Sequence, residues 1–135
     1  MANRARRDAR ISELILELVG AEPKSGAAEL LLLRHYAKDA CTELLEHVEH
    51  PDTLVRCRVA WILGHSRDPR AYEPLVQFLG DSSPDVRYDA AIALGVLGDP
   101  RAKPVLMALA ARVGDEHNID CAAGQGLKRL KHFDA

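Results

Sequence analysis

Six histidines and three cysteines are the residues best suited to hold a metal or to act as nucleophiles. His47 and His50 stand three apart, the spacing that puts two imidazoles on one face of a helix. A zinc or iron site takes three or four converging ligands, and the sequence offers no second pair at such a spacing. Cys41, Cys57 and Cys121 are widely separated, with no CxxC pair. An odd, scattered set reads neither as a disulfide framework nor as a zinc knuckle, and it fits a reducing cytoplasm. A thiol becomes a strong nucleophile only where a base or a positive charge lowers its pKa. No Gly-rich phosphate loop, nucleophile elbow or HExxH helix occurs. Gly124 and Gly126 flank Gln125 inside a helical pattern, not after a strand. They either weaken that helix, by about 1 kcal/mol each relative to alanine, or admit a close neighbour. The expectation is a chain with no catalytic residues, no metal and no cofactor.

The elements that must position these residues are helices. The chain has 135 residues, a net charge of −2, 47% hydrophobic residues and only 4% aromatics. That is one domain, with enough apolar residues for its own core. No apolar run reaches the ~18 residues of a membrane span, and near-neutral charge argues against a dedicated nucleic-acid protein. At the start, Arg4, Arg6, Arg7 and Arg10 precede Ile11, Leu14, Ile15, Leu18 and Val19 at helical spacing. Ser12, Glu13 and Glu17 interrupt the apolar residues, so the segment is an amphipathic helix and not a secretory signal. It is expected to end at Gly20, with the arginine head a solvated and partly frayed first turn, the alternative being contact with phosphate or an acidic protein surface.

A repeat organises the rest. Val55-Arg56, Ala60, Leu63-Gly64, Asp68-Pro69-Arg70-Ala71 and Leu75 recur as Val86-Arg87, Ala91, Leu94-Gly95, Asp99-Pro100-Arg101-Ala102 and Leu106, always 31 positions later. The same offset runs backwards more weakly, placing Leu32 on Leu63, Ala40 on Ala71 and Leu44 on Leu75. Forwards, an offset of 33 places Ile119 on Val86, Leu127 on Leu94 and Leu130 on Leu97. Such a period is the mark of a stacked array.

Each unit reads as a helical hairpin. Asp68-Pro69, Asp99-Pro100 and Ser83-Pro84 each set an N-cap acceptor before a proline suited to the first helical position. Gly98 is a left-handed stop. The expected pairs are 25–36 with 38–49, 52–65 with 69–80, and 84–97 with 100–113, followed by a single helix at 116–132. Pro74 and Pro104 fall inside the second helices and must kink them or shift their starts. Val59, Ile62, Leu63, Ala71, Leu75 and Phe78 lie on the apolar faces, buried with Trp61 or Ile92 only when units stack. Gly64 and Gly95 are expected where neighbouring helices touch.

This pattern resembles the short HEAT-like repeat associated with phycobilisome lyases. The resemblance is strongest over 51–113 and leaves the first helix outside as a cap. It implies an all-α fold, a right-handed α-α superhelix of about three and a half helix-pair repeats with an N-terminal capping helix. The boundaries are 1–20 for the cap, 25–50, 51–81 and 82–113 for the repeats, and 114–135 for the half repeat. It also implies that Arg56 and Arg87, with Asp52 and Asp85 just before them, bridge neighbouring units. Some HEAT-like proteins are di-iron hydroxylases that hold metal through His-Glu dipeptides. Here Glu46-His47, Glu49-His50 and Glu116-His117 run in reverse order, so that activity is not carried over.

The resemblance puts first helices on the convex side and second helices on the concave side, which grips a partner. If Ala71, Leu75 and Phe78 face the core, Arg70, Glu73 and Gln77 face away. Their equivalents are Asp39, Thr42 and Glu46 before, and Arg101, Pro104 and Ala108 after. The candidate partner-binding set is therefore Asp39, Thr42, Glu46, Arg70, Glu73, Gln77, Arg101, Ala108 and Arg112. With Glu49 it is acidic at one end and basic at the other, where Lys128, Arg129 and Lys131 extend it. The expected function is a non-catalytic cytoplasmic scaffold or adaptor that binds another protein, away from any membrane. A lyase-like subunit acting on a tetrapyrrole-bearing protein is one alternative, and nucleic-acid binding through the basic end is another.

Overall fold

The computed structural model describes residues 2–20, 28, 31–111 and 119–131. Among these residues every regular element is helical. The cap is α1 (Ala2–Val19). A π-helical turn at Leu32–Tyr36 leads into α2 (Ala37–Leu44), which closes in a 3-10 turn at Leu45–His47. Then come α3 (Thr53–His65), a 3-10 turn at Pro69–Ala71 and α4 (Tyr72–Phe78). The last are α5 (Pro84–Leu97), α6 (Ala102–Ala110) and α7 (Ile119–Lys131). Among the described residues no helix is long and apolar enough to cross a membrane.

The punctuation residues act largely as their types dictate. Asp52, Asp68 and Asp99 accept from the backbone N–H groups of Leu54, Arg70 and Arg101 at 2.9, 2.9 and 3.0 Å, satisfying donors that a helix start leaves unpaired. Ser83 has the extended N-cap backbone but no side-chain cap bond. The Asp81 carboxylate accepts from its N–H instead, at 2.9 Å. The prolines inside the second helices do not kink them. Ala71 and Ala102 donate to the carbonyls of Asp68 and Asp99 at 3.0 Å, so these helices open with a three-residue turn. Pro74 and Pro104 are then the third residues of α4 and α6, where a missing N–H breaks no intrahelical bond. Gly98 takes the left-handed conformation at φ 77°, and Arg67, its equivalent 31 positions earlier, takes it at φ 58° without being glycine.

At the cap, Ile11, Leu14, Ile15 and Leu18 are buried as expected. The arginine head is exposed as expected, and it departs from expectation only in not fraying, because α1 is helical from Ala2. Arg7 explains part of this. It pairs with Asp39 at 2.6 Å, donates to the His35 carbonyl at 3.0 Å, and stacks 4.8 Å from the Tyr36 ring. A guanidinium with three partners on the first unit holds the early turns in place. In that unit Tyr36 leaves helical geometry at φ −132°, making the break that Asp-Pro makes elsewhere. The expected helix over 25–36 is described only at 28 and 31–36.

Stacking buries what one hairpin cannot. First helices pack on first helices, α3 on α5 and α5 on α7, while α4 packs on α5 and α6 on α7. Val59, Ile62, Leu63, Leu75, Val86, Leu94 and Leu106 are fully buried at these joints. Ile92 is buried, whereas Trp61 is only half-buried. The expected glycine contacts are present. A Cβ on Gly64 would lie 2.8 Å from the Ala93 Cβ, and one on Gly95 would lie 2.7 Å from the Gly126 carbonyl carbon. The two contacts are equivalent, since 64 and 93 shift to 95 and 126 under the repeat. One step further the glycine position is occupied by Lys128. The chain is an all-α solenoid of stacked helix pairs.

Candidate partner-binding face

Units are tied together by arginines on both layers. On the first-helix side, Arg56 grips the Asp81 carboxylate at 2.9 and 3.0 Å and donates to the carbonyls of His50 and Pro51 at 2.8 and 3.1 Å. Arg87 donates to the Asp81 carbonyl at 2.6 Å. The implied Arg–Asp pairing is present only within the unit, Arg56 on Asp81, and the contacts that cross unit boundaries are those of Arg56 and Arg87 to the carbonyls of His50 and Asp81. Asp52 caps α3 instead, and Asp85 is exposed in the first turn of α5. Burial alone would raise the Asp81 pKa. Hydrogen bonds from Arg56 and the Ser83 N–H, with the charges of Arg56 and Arg87, outweigh burial and hold the carboxyl below its ordinary value.

On the second-helix side, Arg70 pairs with Asp68 at 2.7 Å and reaches back to the Thr42 hydroxyl at 3.0 Å. Arg101 pairs with Asp99 at 2.7 Å, and its guanidinium lies 4.1 Å from the Tyr72 ring centroid. The Tyr72 hydroxyl donates to the Arg101 carbonyl at 3.3 Å. The hydrogen bond from Arg70 lowers the Asp68 pKa, and that from Arg101 lowers the Asp99 pKa. With Arg7 on Asp39, these links run along the whole described layer.

Eight of the nine predicted partner-binding residues can be placed. Asp39, Thr42, Glu46, Arg70, Glu73, Gln77, Arg101 and Ala108 are all exposed, as is Pro104, while Ala71, Leu75 and Phe78 are buried. Arg112 lies outside the described residues. The layer brings Thr42 and Arg70 into contact and commits Asp39 to Arg7. Tyr72 and Arg7 belong to the same face and were missed by the sequence reading, which took Asp68 and Asp99 as helix caps but not as the acids that pair with Arg70 and Arg101 here. The Asp-x-Arg spacing, repeated at 68–70 and 99–101, was the signal for these two pairs.

The remaining chemical residues have structural surroundings. Burial, followed by the Asp89 charge, pushes the Cys57 thiol up to about 12, and burial also raises Cys41. Protonated thiols of this kind pack and do not attack. The side chain of Cys121 lies outside the described residues. His47 is half-buried, and His50 Nδ1 accepts from the Asp52 N–H at 3.0 Å. Among the described residues no three His, Cys, Asp or Glu side chains converge as metal ligands.

The depressed carboxyls give an acid limb to stability. A folded pKa below the unfolded value, ~3.9 for Asp, adds stability that is present above that value and lost as pH falls through the folded one. Urea midpoints should therefore fall below about pH 4. Asp81→Asn should cost about 1–3 kcal/mol at pH 7, as losing charged hydrogen bonds does, and should flatten the acid limb. A variant as acid-sensitive as the parent would remove Asp81 from this role.

Comparison with known proteins fits this architecture. Over half the chain, 70 residues, it is 37% identical to the deoxyhypusine hydroxylase of Rattus norvegicus, and the match covers 23% of that protein. The chain thus spans less than a quarter of that relative. A family model described as HEAT repeats matches residues 33–127, which include the helix pairs just described, and the chain belongs to the HEAT repeat family.

Proposed function

We propose that this chain is a non-catalytic scaffold that holds a partner protein on its second-helix face. One domain would run over 1–135 with unit boundaries at 51, 82 and 114, working in the cytoplasm. The observation that carries the reading is a contrast between two sets of positions. Leu75 and Leu106 are identical and fully buried, whereas the exposed set changes at all three places from Asp39, Thr42 and Glu46 to Arg70, Glu73 and Gln77, and at two of three places from these to Arg101, Pro104 and Ala108. Repeat proteins keep what stacks and vary what recognises. On this face Asp39, Arg70 and Arg101 are offset by Arg7, Asp68 and Asp99, which leaves the exposed acids Glu46 and Glu73 to favour a basic partner segment.

The likeness to a hydroxylase raises a second reading, that of a fragment with enzymatic ancestry. The residues present do not fit an iron centre: the histidine-acid dipeptides are reversed, and the His50 ring is engaged by its own loop. Within the scaffold reading, a tetrapyrrole-bearing partner would identify the phycobilisome-lyase subfamily. Steep salt-dependent retention on DNA would point to nucleic acid instead.

The test reverses charge at two exposed positions. Glu46→Arg with Glu73→Arg should change stability by only about 0.5 kcal/mol, as surface changes do, and should sharply reduce partner capture from the native cell. A folded double variant that captures the same partner at full strength overturns the proposal for this face.

A further inference from the structure

A second surface lies on the first-helix layer, away from the face just discussed. Between α3 and α5 the structure has an open pocket of about 490 Å³, lined by Leu54, Cys57, Trp61, Tyr88, Asp89 and Ile92, together with Arg58. Every lining residue comes from a first helix. Trp61 and Tyr88 are half-buried, and Leu54 is 47% exposed. Two aromatic side chains are thus partly open to solvent at the pocket, and Trp61 also packs edge-on against the His65 ring, with centroids 5.3 Å apart.

The pocket lining carries one acid, Asp89, and one base, Arg58. The charges that bear most on the Cys57 thiol are Asp89, Asp85 and Asp81, all of which oppose its ionisation. Asp85 and Asp89 stand four apart on α5, whereas Asp81 precedes that helix. Asp81 is neutralised by Arg56. Asp89 is half-buried, lines the pocket beside Cys57, and feels the like charge of Asp85. Burial therefore raises the Asp89 carboxyl above its ordinary value. A carboxylate among aromatic and aliphatic side chains is stabilised by an entering positive charge. Cations over Trp and Tyr faces gain further attraction, most of all when partly desolvated.

We propose that this pocket binds a cationic side chain on an apolar stem, an arginine or a methylated lysine of a partner polypeptide. Trp61 and Tyr88 form its aromatic walls and Asp89 is its counter-ion. Leu54 and Ile92 take the stem. The pocket is open along its length, so the stem continues outward into the partner's backbone. Arg58, the one cation of the lining, competes with the ligand and sets its affinity.

The chain has a single tryptophan, so Trp61 emission reports occupancy directly. The intact protein is titrated with N-acetyl-arginine amide, with N-acetyl-trimethyllysine amide and with the neutral N-acetyl-norleucine amide, at constant ionic strength. A saturable change with at least one cationic probe, and none with norleucine, is the expected result. Asp89→Asn and Tyr88→Leu should each weaken that binding by at least about threefold, whereas Arg58→Gln should tighten it. Opposite signs at Asp89 and Arg58 are what a counter-ion and a competitor produce and what general loosening of the fold does not. If Asp89→Asn fails to fold, Tyr88→Leu and the probe comparison decide. The proposal is overturned if neither cation saturates, if norleucine matches them, or if a folded Asp89→Asn or Tyr88→Leu binds as the parent does.

Discussion

Gly95→Ala is expected to destabilise the protein by about 3 kcal/mol, at the upper end for overpacking, and Gly126→Ala by a similar amount. Gly124→Ala, two residues from Gly126 on the same helix, is expected to stabilise it by about 0.5–1 kcal/mol. In a helix interior alanine is favoured over glycine at each position, by the same backbone entropy. What differs is the neighbour. A Cβ on Gly95 would enter the Gly126 backbone, and one on Gly126 would lie 2.6 Å from the Ala91 carbonyl oxygen, whereas one on Gly124 meets nothing within 4 Å. Backbone cannot turn aside as a side chain can, so α5 and α7 must separate and lose buried contact along their length. Urea melts of the three variants measure this. Midpoints that move the same way for Gly95→Ala and Gly124→Ala would mean that the two helices do not touch at their backbones.

Leu75→Ala should cost about 2–5 kcal/mol, and Leu106→Ala a comparable amount, the range for emptying a close-packed leucine site. Both side chains are fully buried, and they occupy the same place in successive units. Leu106 also lies against the site of Gly126, where an added Cβ would sit 3.1 Å from its Cδ1. The cavity is thus shared with the first-helix joint, and neighbouring backbone is poorly placed to collapse into it. Denaturant melts at fixed pH give the number directly. A loss below about 1 kcal/mol at either site would place that second helix outside the core.

Legibility in the sequence followed the range of each interaction. Asp68, Asp99 and Gly98 act within two or three residues of themselves, and their roles could be read from type and spacing. The burial of Leu75 and Leu106 and the close approach at Gly64 and Gly95 were legible because the repeat showed each position twice. Contacts without a repeated counterpart were not. Arg7 meets Asp39 across 32 positions, and only the packed cap brings them together. The acids paired with Arg56 and Arg87 were expected to be Asp52 and Asp85, which stand just before them in the sequence. Asp81 was hidden because its equivalent one unit earlier is His50, whose ring serves its own loop. On the second-helix face the outward direction of Arg70, Glu73 and Gln77 followed from helical period. The Arg70–Thr42 and Arg101–Tyr72 links depend on how far one unit is rotated against the next, and helical period does not contain that rotation.

The two layers of joints differ in hardness, and this has a mechanical consequence. Along the first helices, units meet backbone to backbone at Gly64, Gly95 and Gly126, contacts that can neither shorten nor slide without raising the energy steeply. Along the second helices, the described links are long arginine side chains, which can swing and re-form at small cost. Such a stack behaves like a strip with one inextensible edge and one elastic edge. It flexes by fanning the second helices apart or together while the first helices keep their spacing, so an object held on that face meets a grip that adjusts its width about a fixed spine.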